Sequence, residues 1–291
     1  MGGPASLTIR HDRSDRQAAE VACHKVREDL TKLETKYSRY NPKSLLSQIN
    51  LNAGSGTPVE IDQETRGLLE FCQQLHAQSD GLFDPTAGAL NAIWNLQEGR
   101  IVSPERLPAT LEAVGWQHVH LSETGVYLSH ANTRLDLGGI VKEFAVDMSV
   151  QKLRAAGFPN HVVELAGDVY ASGTRNNEQP WRIGISDPSD PETSISTLEL
   201  TDAALASSGS YQRFFSHEGK TYSHFLDPKT GRPVEGAISV SVVADNALIA
   251  GAVATVACLH GAHGAEAWLT KSGLPWLLIN ESGRLQGPLA G

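Results

Sequence analysis

Residues 135–173, LDLGGIVKEFAVDMSVQKLRAAGFPNHVVELAGDVYASG, decide the fold class of this chain. The pattern predicts a strand ending near Asp136, a glycine turn, and a helix over about residues 140–156 that Gly157 closes. Two apolar strands follow in HVVELAGDVYASG, separated by a bulge or tight turn at Gly167-Asp168. Strands interleaved with helices predict an α/β or α+β fold.

The same alternation continues on both sides of this stretch. With no internal repeat and no long linker, the sequence predicts one compact domain over residues 1–291, with mixed sheets and several packed helices. The predicted helices are an amphipathic one capped by Ser14 or Asp15, a short one in SRYNPKSLLSQIN, one from Asp62 to Asp80-Gly81, and a last one over 246–259. The predicted strands are 5–10, a hairpin of 117–121 and 125–129, WRIGISDP, 196–201, 220–226, 238–243 and 275–279.

Composition excludes several classes of protein. The chain has 291 residues, 40% of them hydrophobic, and a formal net charge of −9. An acidic chain without a cluster of Lys and Arg does not have the electrostatic character of a nucleic-acid binder. Its three cysteines lie far apart with no CxxC pair, so neither a disulfide framework nor a cysteine zinc site is expected.

The hydropathy pattern bears on membrane association and location. No run approaches the roughly 18–20 apolar residues that a membrane-spanning helix needs, so no transmembrane segment is expected. The opening residues, MGGPASLTIRHDRSDR, turn polar at once and lack the apolar region of a signal peptide. We therefore expect a cytoplasmic protein as the sequence stands, and a periplasmic one if an export segment has been removed.

Two glycine-containing stretches are candidate ligand sites. GLFDPTAGAL begins at Gly81 and is either an ordinary turn or a rigid loop that offers backbone amides to a ligand. In Asp136-Leu137-Gly138-Gly139, glycines precede a predicted helix, whose free amides and dipole favour an anion. Lys142 in the first helical turn adds a positive charge there. Packing of a strand on a helix explains the second pattern about as well as phosphate binding does.

Two further stretches contain polar groups next to predicted strands. Asp168 follows Gly167 after an apolar strand, where it could lie against a ligand held at the first helical turn. The serines of Ser207-Ser208-Gly209 precede YSHFLDPKTGRP, in which His224 ends a strand. A lone strand histidine is more often structural, but beside a phosphate site it would be the best general-base candidate, because its pKa lies near neutrality.

Taken together, these motifs resemble the FAD:protein FMN transferase family, the ApbE-like flavinyltransferases. The resemblance runs almost end to end, through SRYNPKSLLSQIN, GLFDPTAGAL, LDLGGIVKEFAVD, VVELAGDVYASG, YSHFLDPKTGRPV and ADNALIAGAVATVA. It implies a single domain built around FAD. It also implies a Mg²⁺-assisted reaction that moves FMN from FAD to a Thr or Ser of an acceptor flavoprotein and releases AMP.

The resemblance implies a role for individual positions. His224 matches the histidine implicated in activating the acceptor hydroxyl, and Phe225 beside it is expected to touch FAD. The other expected FAD-binding residues are Met1, Tyr40, Gly81, Leu82, Phe83, Asp136 and Lys142. The expected metal-binding residues are Gly139, Ala254 and Thr255.

One departure from the family pattern concerns the metal. The family closes on Asp-Ala-Leu-Ala-Thr, whose Asp and Thr bind Mg²⁺, whereas this chain has Gly251-Ala252-Val253-Ala254-Thr255. Mg²⁺ is usually anchored by one or two carboxylates, so the loss of one weakens the expected site. Asp245 lies about 1.7 turns earlier and faces elsewhere. Glu143, where relatives usually have Gly, either supplies a carboxylate near the metal or is a solvated helix residue, and the general exposure of Glu favours the second.

Three functions remain open at this point. The first is an active flavin transferase. The second is an FAD-binding homologue that has lost transfer chemistry because Gly251 replaces the metal-binding Asp. The third is an FAD pyrophosphatase, in which water takes the place of the acceptor hydroxyl.

Overall fold

The structure is a computed structural model that describes residues 3–94, 104–188, 190–209, 214–217, 220–235 and 237–290. The helices within these ranges are α1 (Arg16–Tyr37), α2 (Leu45–Leu51), α3 (Gln63–Gln78), α4 (Leu107–Leu111), α5 (Val141–Ala155) and α6 (Ala247–Ser272). The strands are β1 (Ala5–Ile9), β2 (Val59–Glu60), β3 (Val119–Leu121), β4 (Gly125–Leu128), β5 (His161–Leu165), β6 (Asp168–Ser172), β7 (Trp181–Asp187), β8 (Asp190–Leu200), β9 (Ala203–Gly209), β10 (Phe214–His217), β11 (Lys220–Ser223), β12 (Ala237–Ala244), β13 (Trp276–Asn280) and β14 (Leu285–Gln286).

A seven-stranded sheet organises the molecule. Its strand order is β1-β5-β6-β9-β12-β13-β14, and every neighbouring pair is antiparallel. The fold is therefore α+β. Because side chains alternate between faces of a strand, Ala204 and Ala206 pack in the main core while Leu205 joins a second cluster on the opposite face.

Each face of the sheet is covered by different elements. Helices α5 and α6 pack on the face that carries the main core, with α1 against α5. The β7–β8 hairpin covers the opposite face, where Ile185 and Leu200 meet Leu205. A third apolar cluster, around Leu90 and Trp94, lies under the segment that contains Tyr222 and Leu226.

Local sequence signals set several helix boundaries, although α1 begins after Asp15 without a hydrogen bond from a capping side chain. Helix α3 begins after Asp62, whose side chain accepts a hydrogen bond from the Thr65 amide, as predicted. The predicted helix over about 140–156 is α5, and Gly157 follows it with φ +88°. In HVVELAGDVYASG, the predicted interruption is a two-residue hairpin turn, because Leu165 pairs with Asp168 across the β5–β6 ladder.

Strand β9 is absent from the sequence prediction. It pairs with both β6 and β12 in the middle of the sheet. Its sequence, AALASSG, consists mostly of small residues with low strand propensity, so the local pattern indicates a loop. Pairing on both edges overrides that propensity. The predicted strand 220–226 is shorter than expected, since β11 ends at Ser223.

Helix α6 corrects the expectation that no segment is long and apolar enough to span a membrane. Within the described ranges it is the one helix that meets both criteria by length and composition alone, and half of its most apolar window is buried inside the fold. Its apolar residues pack on β9 and β12. Gly261, with φ +64° and ψ −163°, kinks it and divides it into two shorter segments.

Candidate active site

The glycine turn before α5 is anchored by side-chain and backbone contacts from elsewhere in the chain. The Asn50 amide bonds both backbone groups of Leu135, donating to its carbonyl at 2.9 Å and accepting from its N–H at 2.7 Å. The Asp136 amide donates to the Pro85 carbonyl at 2.9 Å. These bonds fix the approach to α5, which begins at Val141.

The predicted strand through LDLG is not formed. Only Arg134 makes an isolated bridge, with Ala87, and residues 135–137 belong to no strand. The physical reason is that the Asn50 side chain and the Pro85 carbonyl occupy the groups that a strand partner would use. The predicted helix start is correct.

The loop that begins at Gly81 is held by internal hydrogen bonds and does not offer its first amides. Gly81, with φ +77°, donates its N–H to the His76 carbonyl, and Leu82 donates to the Ser79 carbonyl. The Phe83 amide donates to Ser79 Oγ at 3.0 Å. Of the two interpretations of this stretch, the structure favours the ordinary turn, because these three amides are already bonded within the chain.

Phe83 links this loop to the glycine turn. Its ring atom Cε2 lies 3.5 Å from the position that a Cβ on Gly139 would take. Phe83 is buried, as is Ile140 at the start of α5. The structure thus brings Phe83 and Gly139, two of the residues expected at the site, close together.

Asp136 is the centre of a polar cluster on one side of the turn. Its Oδ2 accepts hydrogen bonds from Arg39 and from Asn91, the latter at 3.0 Å, and its Oδ1 accepts from the Gly138 amide at 3.0 Å. Arg39 also bonds the hydroxyl of Tyr40 at 2.7 Å and lies over its ring. Tyr40 itself is 74% exposed, which leaves its ring available to a ligand.

A second polar cluster lies in the first turn of α5. The Lys142 ammonium bonds the buried carboxylate of Asp168 and lies 3.3 Å from Glu143 Oε1. Burial disfavours the charged amine, but these two carboxylates outweigh burial and raise the pKa of Lys142 above its ordinary value. Lys142 is therefore a fixed cation beside the helix N-terminus.

Glu143 is not the solvated helix residue that its type suggested. Only 4% of it is exposed, and its Oε2 has no hydrogen-bond partner among the described residues. Burial raises the pKa of its carboxyl above the ordinary value, and the nearby Asp168 acts in the same direction. A cation placed beside this carboxyl would favour its charged form.

Helix α6 brings the expected metal residues to the same region. Ala254 is fully buried, and the Thr255 hydroxyl lies 3.2 Å from the Ser208 hydroxyl on β9. The neighbouring Ser207 donates its amide to Asp168 Oδ1 at 3.2 Å. Strand β9 therefore connects Thr255 with the Lys142–Asp168 cluster.

His224 lies in a bend directly after β11. The adjacent Phe225 is buried, donates its amide to Ser223 Oγ at 3.0 Å and accepts from the Val234 amide at 2.8 Å. The rings of His224 and Phe225 have centroids 4.1 Å apart. Phe225 belongs to the same hydrophobic cluster as Phe83 and Ile140, which places this bend on the core that also supports the glycine turn.

The comparison with family models decides the family. The model described as "ApbE family" matches residues 1–278. This chain belongs to the ApbE family.

The relatives of this ApbE-family chain include sequences named FAD:protein FMN transferase and solved structures. The FAD:protein FMN transferase of Chlamydia pneumoniae is 34% identical over 86% of this chain and 78% of the relative. That of Rhodobacter capsulatus is 32% identical over 74% of this chain but only 42% of its own length. The apo crystal structure of Pseudomonas stutzeri flavinyl transferase ApbE has a TM-score of 0.87 at 28% identity, covering 100% of this chain and 92% of that one.

Two residues of the candidate site were not expected from the sequence. Arg39 and Asn91 both bond Asp136, yet neither was expected there. The signal for Arg39 was its position next to Tyr40 in a motif of the resemblance, whereas Asn91 has no comparable signal. One expected residue, Met1, lies outside the described residues.

The cavities and ligand clusters of the fold do not by themselves mark the site. A cleft of about 540 Å³ opens beside Gly81 and is lined by His76, Asp84 and Lys229, among others, but by none of the other candidate residues. In the described ranges no group of three or more His, Cys, Asp or Glu side chains is arranged to hold a metal. A metal near α5 would therefore also need hydroxyl, carbonyl and substrate oxygens, which Mg²⁺ accepts.

Proposed function

We propose that this chain transfers FMN from FAD to a Thr or Ser hydroxyl of an acceptor protein and releases AMP. The observation that carries the proposal is the ApbE family match over residues 1–278. Relatives named FAD:protein FMN transferase, such as the one from Chlamydia pneumoniae, support it. The polar clusters around Asp136 and Lys142, on either side of a glycine turn, are consistent with a dinucleotide as substrate.

The glycine turn and Lys142 would bind the diphosphate of FAD. The amides at the N-terminus of α5 and the fixed ammonium of Lys142 both favour an anion. The remaining contacts to FAD would come from Tyr40, Asp136, Phe225 and the loop of residues 81–83. Because the amides of that loop are bonded within the chain, its carbonyls and side chains would make the contacts.

His224 would accept the proton of the acceptor hydroxyl. In this reaction the hydroxyl oxygen bonds to the phosphorus of the FMN half, the bond between the two phosphates breaks, and AMP leaves. The hydroxyl proton passes to the imidazole, which is suited to this role because its ordinary pKa lies near neutrality. Phe225 beside it fixes the bend through its two backbone hydrogen bonds.

The residues present fit a Mg²⁺ ion. The carbonyls of Gly139 and Ala254 and the hydroxyl of Thr255 would hold it, and the unpartnered, buried oxygen of Glu143 is a donor of the kind that Mg²⁺ prefers. When bound, the ion would neutralise negative charge on the diphosphate.

Incubation of the purified chain with FAD, Mg²⁺ and an acceptor tests the proposal. The acceptor carries the Thr-containing flavinylation sequence of the family, and a matched acceptor carries Ala at that Thr. We expect the mass of one FMN group to be added to the first acceptor alone, with AMP released in equal amount. An unmodified acceptor across several divalent metals would reject the proposal.

Gly251 motivates two other functions, FAD binding without chemistry and FAD hydrolysis to FMN and AMP. The position of Glu143 argues against FAD binding without chemistry, because the Glu143 carboxylate lies in the space that a side chain at position 251 would occupy. Hydrolysis would use the same groups with water in place of the acceptor. Free FMN formed at the same rate with and without acceptor would favour hydrolysis, whereas FAD retained unchanged would favour binding alone.

A further inference from the structure

Positions 143 and 251 compete for one space between α5 and α6. A Cβ added to Gly251 would lie 2.4 Å from Glu143 Cγ, 3.0 Å from its Cδ and 3.1 Å from its Oε1. Contacts under 3.0 Å are essentially never made by real Cβ atoms. A side chain at position 251 and the present Glu143 side chain therefore exclude each other.

The carboxylate of Glu143 is buried and only partly bonded. Its Oε1 lies 3.3 Å from the Lys142 ammonium, while its Oε2 has no partner among the residues that the structure describes. A buried polar atom without a partner costs free energy, about 1–3 kcal/mol and more for a charged group. Such an oxygen is expected where a ligand completes the bonding.

The geometry of α6 puts this carboxylate beside Thr255. Residues four apart in a helix lie on the same face, so Gly251 and Thr255 are neighbours one turn apart. The Glu143 side chain, which covers Gly251, therefore lies over the face of α6 that also carries Thr255, one turn further along the helix. Asp168 lies close to Glu143 as well, because the Lys142 ammonium pairs with both carboxylates.

We propose that Glu143 on α5 supplies the metal-binding carboxylate that position 251 on α6 lacks. The ligand would be a divalent cation, Mg²⁺ in the reaction, bound by the Glu143 carboxylate together with the Thr255 hydroxyl. The identity of the cation rests on the proposed function. The two departures from the family pattern, Glu143 and Gly251, are then one change: the carboxylate has moved from one helix to the other.

Metal binding to the full chain tests this assignment without relying on turnover. Wild type, Glu143→Gln, Gly251→Asp and the double variant Glu143→Gly/Gly251→Asp are titrated with Mn²⁺, without and with FAD, and free Mn²⁺ is followed by electron paramagnetic resonance. Glu266→Gln, an exposed carboxylate on α6, is the matched control. Thermal unfolding of each variant is measured in parallel.

The expected pattern is a loss and a rescue. Glu143→Gln weakens Mn²⁺ binding about tenfold or more, and Glu266→Gln leaves it unchanged. Gly251→Asp alone lowers the Tm and does not tighten binding, because its side chain meets Glu143. The double variant recovers binding to within about threefold of wild type, which is the non-additivity expected of residues in contact.

Three results would overturn the assignment: Glu143→Gln binding Mn²⁺ like wild type, Gly251→Asp alone binding it more tightly, or no Mn²⁺ binding by a wild type that transfers FMN. If Glu143→Gln does not fold, the double variant Glu143→Gly/Gly251→Asp provides the test. Mn²⁺ binding by the double variant supports the assignment, and loss of Mn²⁺ binding rejects it. Glu143-dependent Mn²⁺ binding in a protein that never modifies an acceptor would reject the proposed function and leave the metal site standing.

Discussion

Arg39 holds Asp136: its guanidinium bonds Asp136 Oδ2, although the two residues are 97 positions apart in the chain. Asn91 and the Gly138 amide bond the same carboxylate. Burial opposes the charge on Arg39, but Asp136 and Tyr40 together outweigh burial and raise the pKa of Arg39 above its ordinary value. Arg39, which follows the C-terminus of α1, thus neutralises the Asp136 carboxylate beside the proposed diphosphate site.

Replacing Arg39 is expected to weaken FAD binding. In Arg39→Ala the Asp136 carboxylate loses its cation and repels the diphosphate, and hydrogen bonds to charged groups contribute about 1.5–3 kcal/mol. The Kd for FAD should therefore rise about tenfold or more, as measured by flavin fluorescence. Arg13→Ala, at an exposed arginine, is the control. An unchanged Kd in Arg39→Ala would show that Asp136 does not face FAD.

Replacing His224 is expected to separate chemistry from binding. If its imidazole accepts the hydroxyl proton, His224→Ala loses about 10²–10⁴-fold in the rate of acceptor modification, while the Kd for FAD stays within about threefold. Single-turnover transfer, followed by acceptor mass, measures the first and fluorescence the second. His263→Ala, at an exposed histidine of α6, should change neither. Equal losses of rate and affinity in His224→Ala would instead indicate a structural role.

Local signals allowed much of the fold to be predicted. Helix α3 begins next to Asp62, as predicted, and α1 is the predicted amphipathic helix, with Ala19, Ala22 and Val26 on its buried face. Strand β9 was not predictable in this way, because its small residues have little strand preference and only pairing with β6 and β12 makes them a strand.

The site was predictable as a set of motifs but not as a set of contacts. The resemblance assigns roles to Asp136, Lys142 and Thr255 by position, and those roles stay predictions. No pattern in sequence pairs Arg39 with Asp136 or Glu143 with Gly251. Those pairs depend on how α1, α5 and α6 pack. The sequence predicted an exposed Glu143, because Glu is usually exposed. Glu143 is buried because Gly251 on α6 leaves room for its side chain.

The Asp62 cap should give the fold a defined loss of stability in acid. Asp62 accepts bonds from Lys36 at 2.6 Å and from the Thr65 amide at 3.0 Å. Burial opposes its ionisation, but these bonds outweigh burial and lower the pKa of Asp62 to about 2 from 3.8. A lowered pKa in the folded state means that the contribution is present above pH 3.8 and is lost as the pH falls toward about 2.

Two substitutions of Asp62 separate the cap from the charge. Asp62→Ala should lower the free energy of unfolding at pH 7 by about 1 kcal/mol, measured by urea denaturation. Asp62→Asn keeps a capping oxygen, so at pH 7 it should lose less stability than Asp62→Ala does. Because Asn cannot ionise, the stability of Asp62→Asn should also fall less than that of wild type between pH 4 and pH 2. Parallel acid profiles for wild type and Asp62→Asn would contradict this assignment.

The bend that carries His224 is expected to depend on Trp94. The buried indole donates its N–H to the Gly231 carbonyl at 2.7 Å, and its ring lies near that of Tyr222. Trp94→Phe keeps an aromatic ring but leaves that carbonyl without its donor, at a cost of about 1–3 kcal/mol. The Tm should fall, and amide exchange should rise in residues 222–233 before it rises in β12 or β13. Because Phe225 and His224 belong to this segment, the transfer rate should fall more than FAD affinity does. A lower Tm with exchange raised equally across the sheet would show that Trp94 supports the whole core rather than this segment.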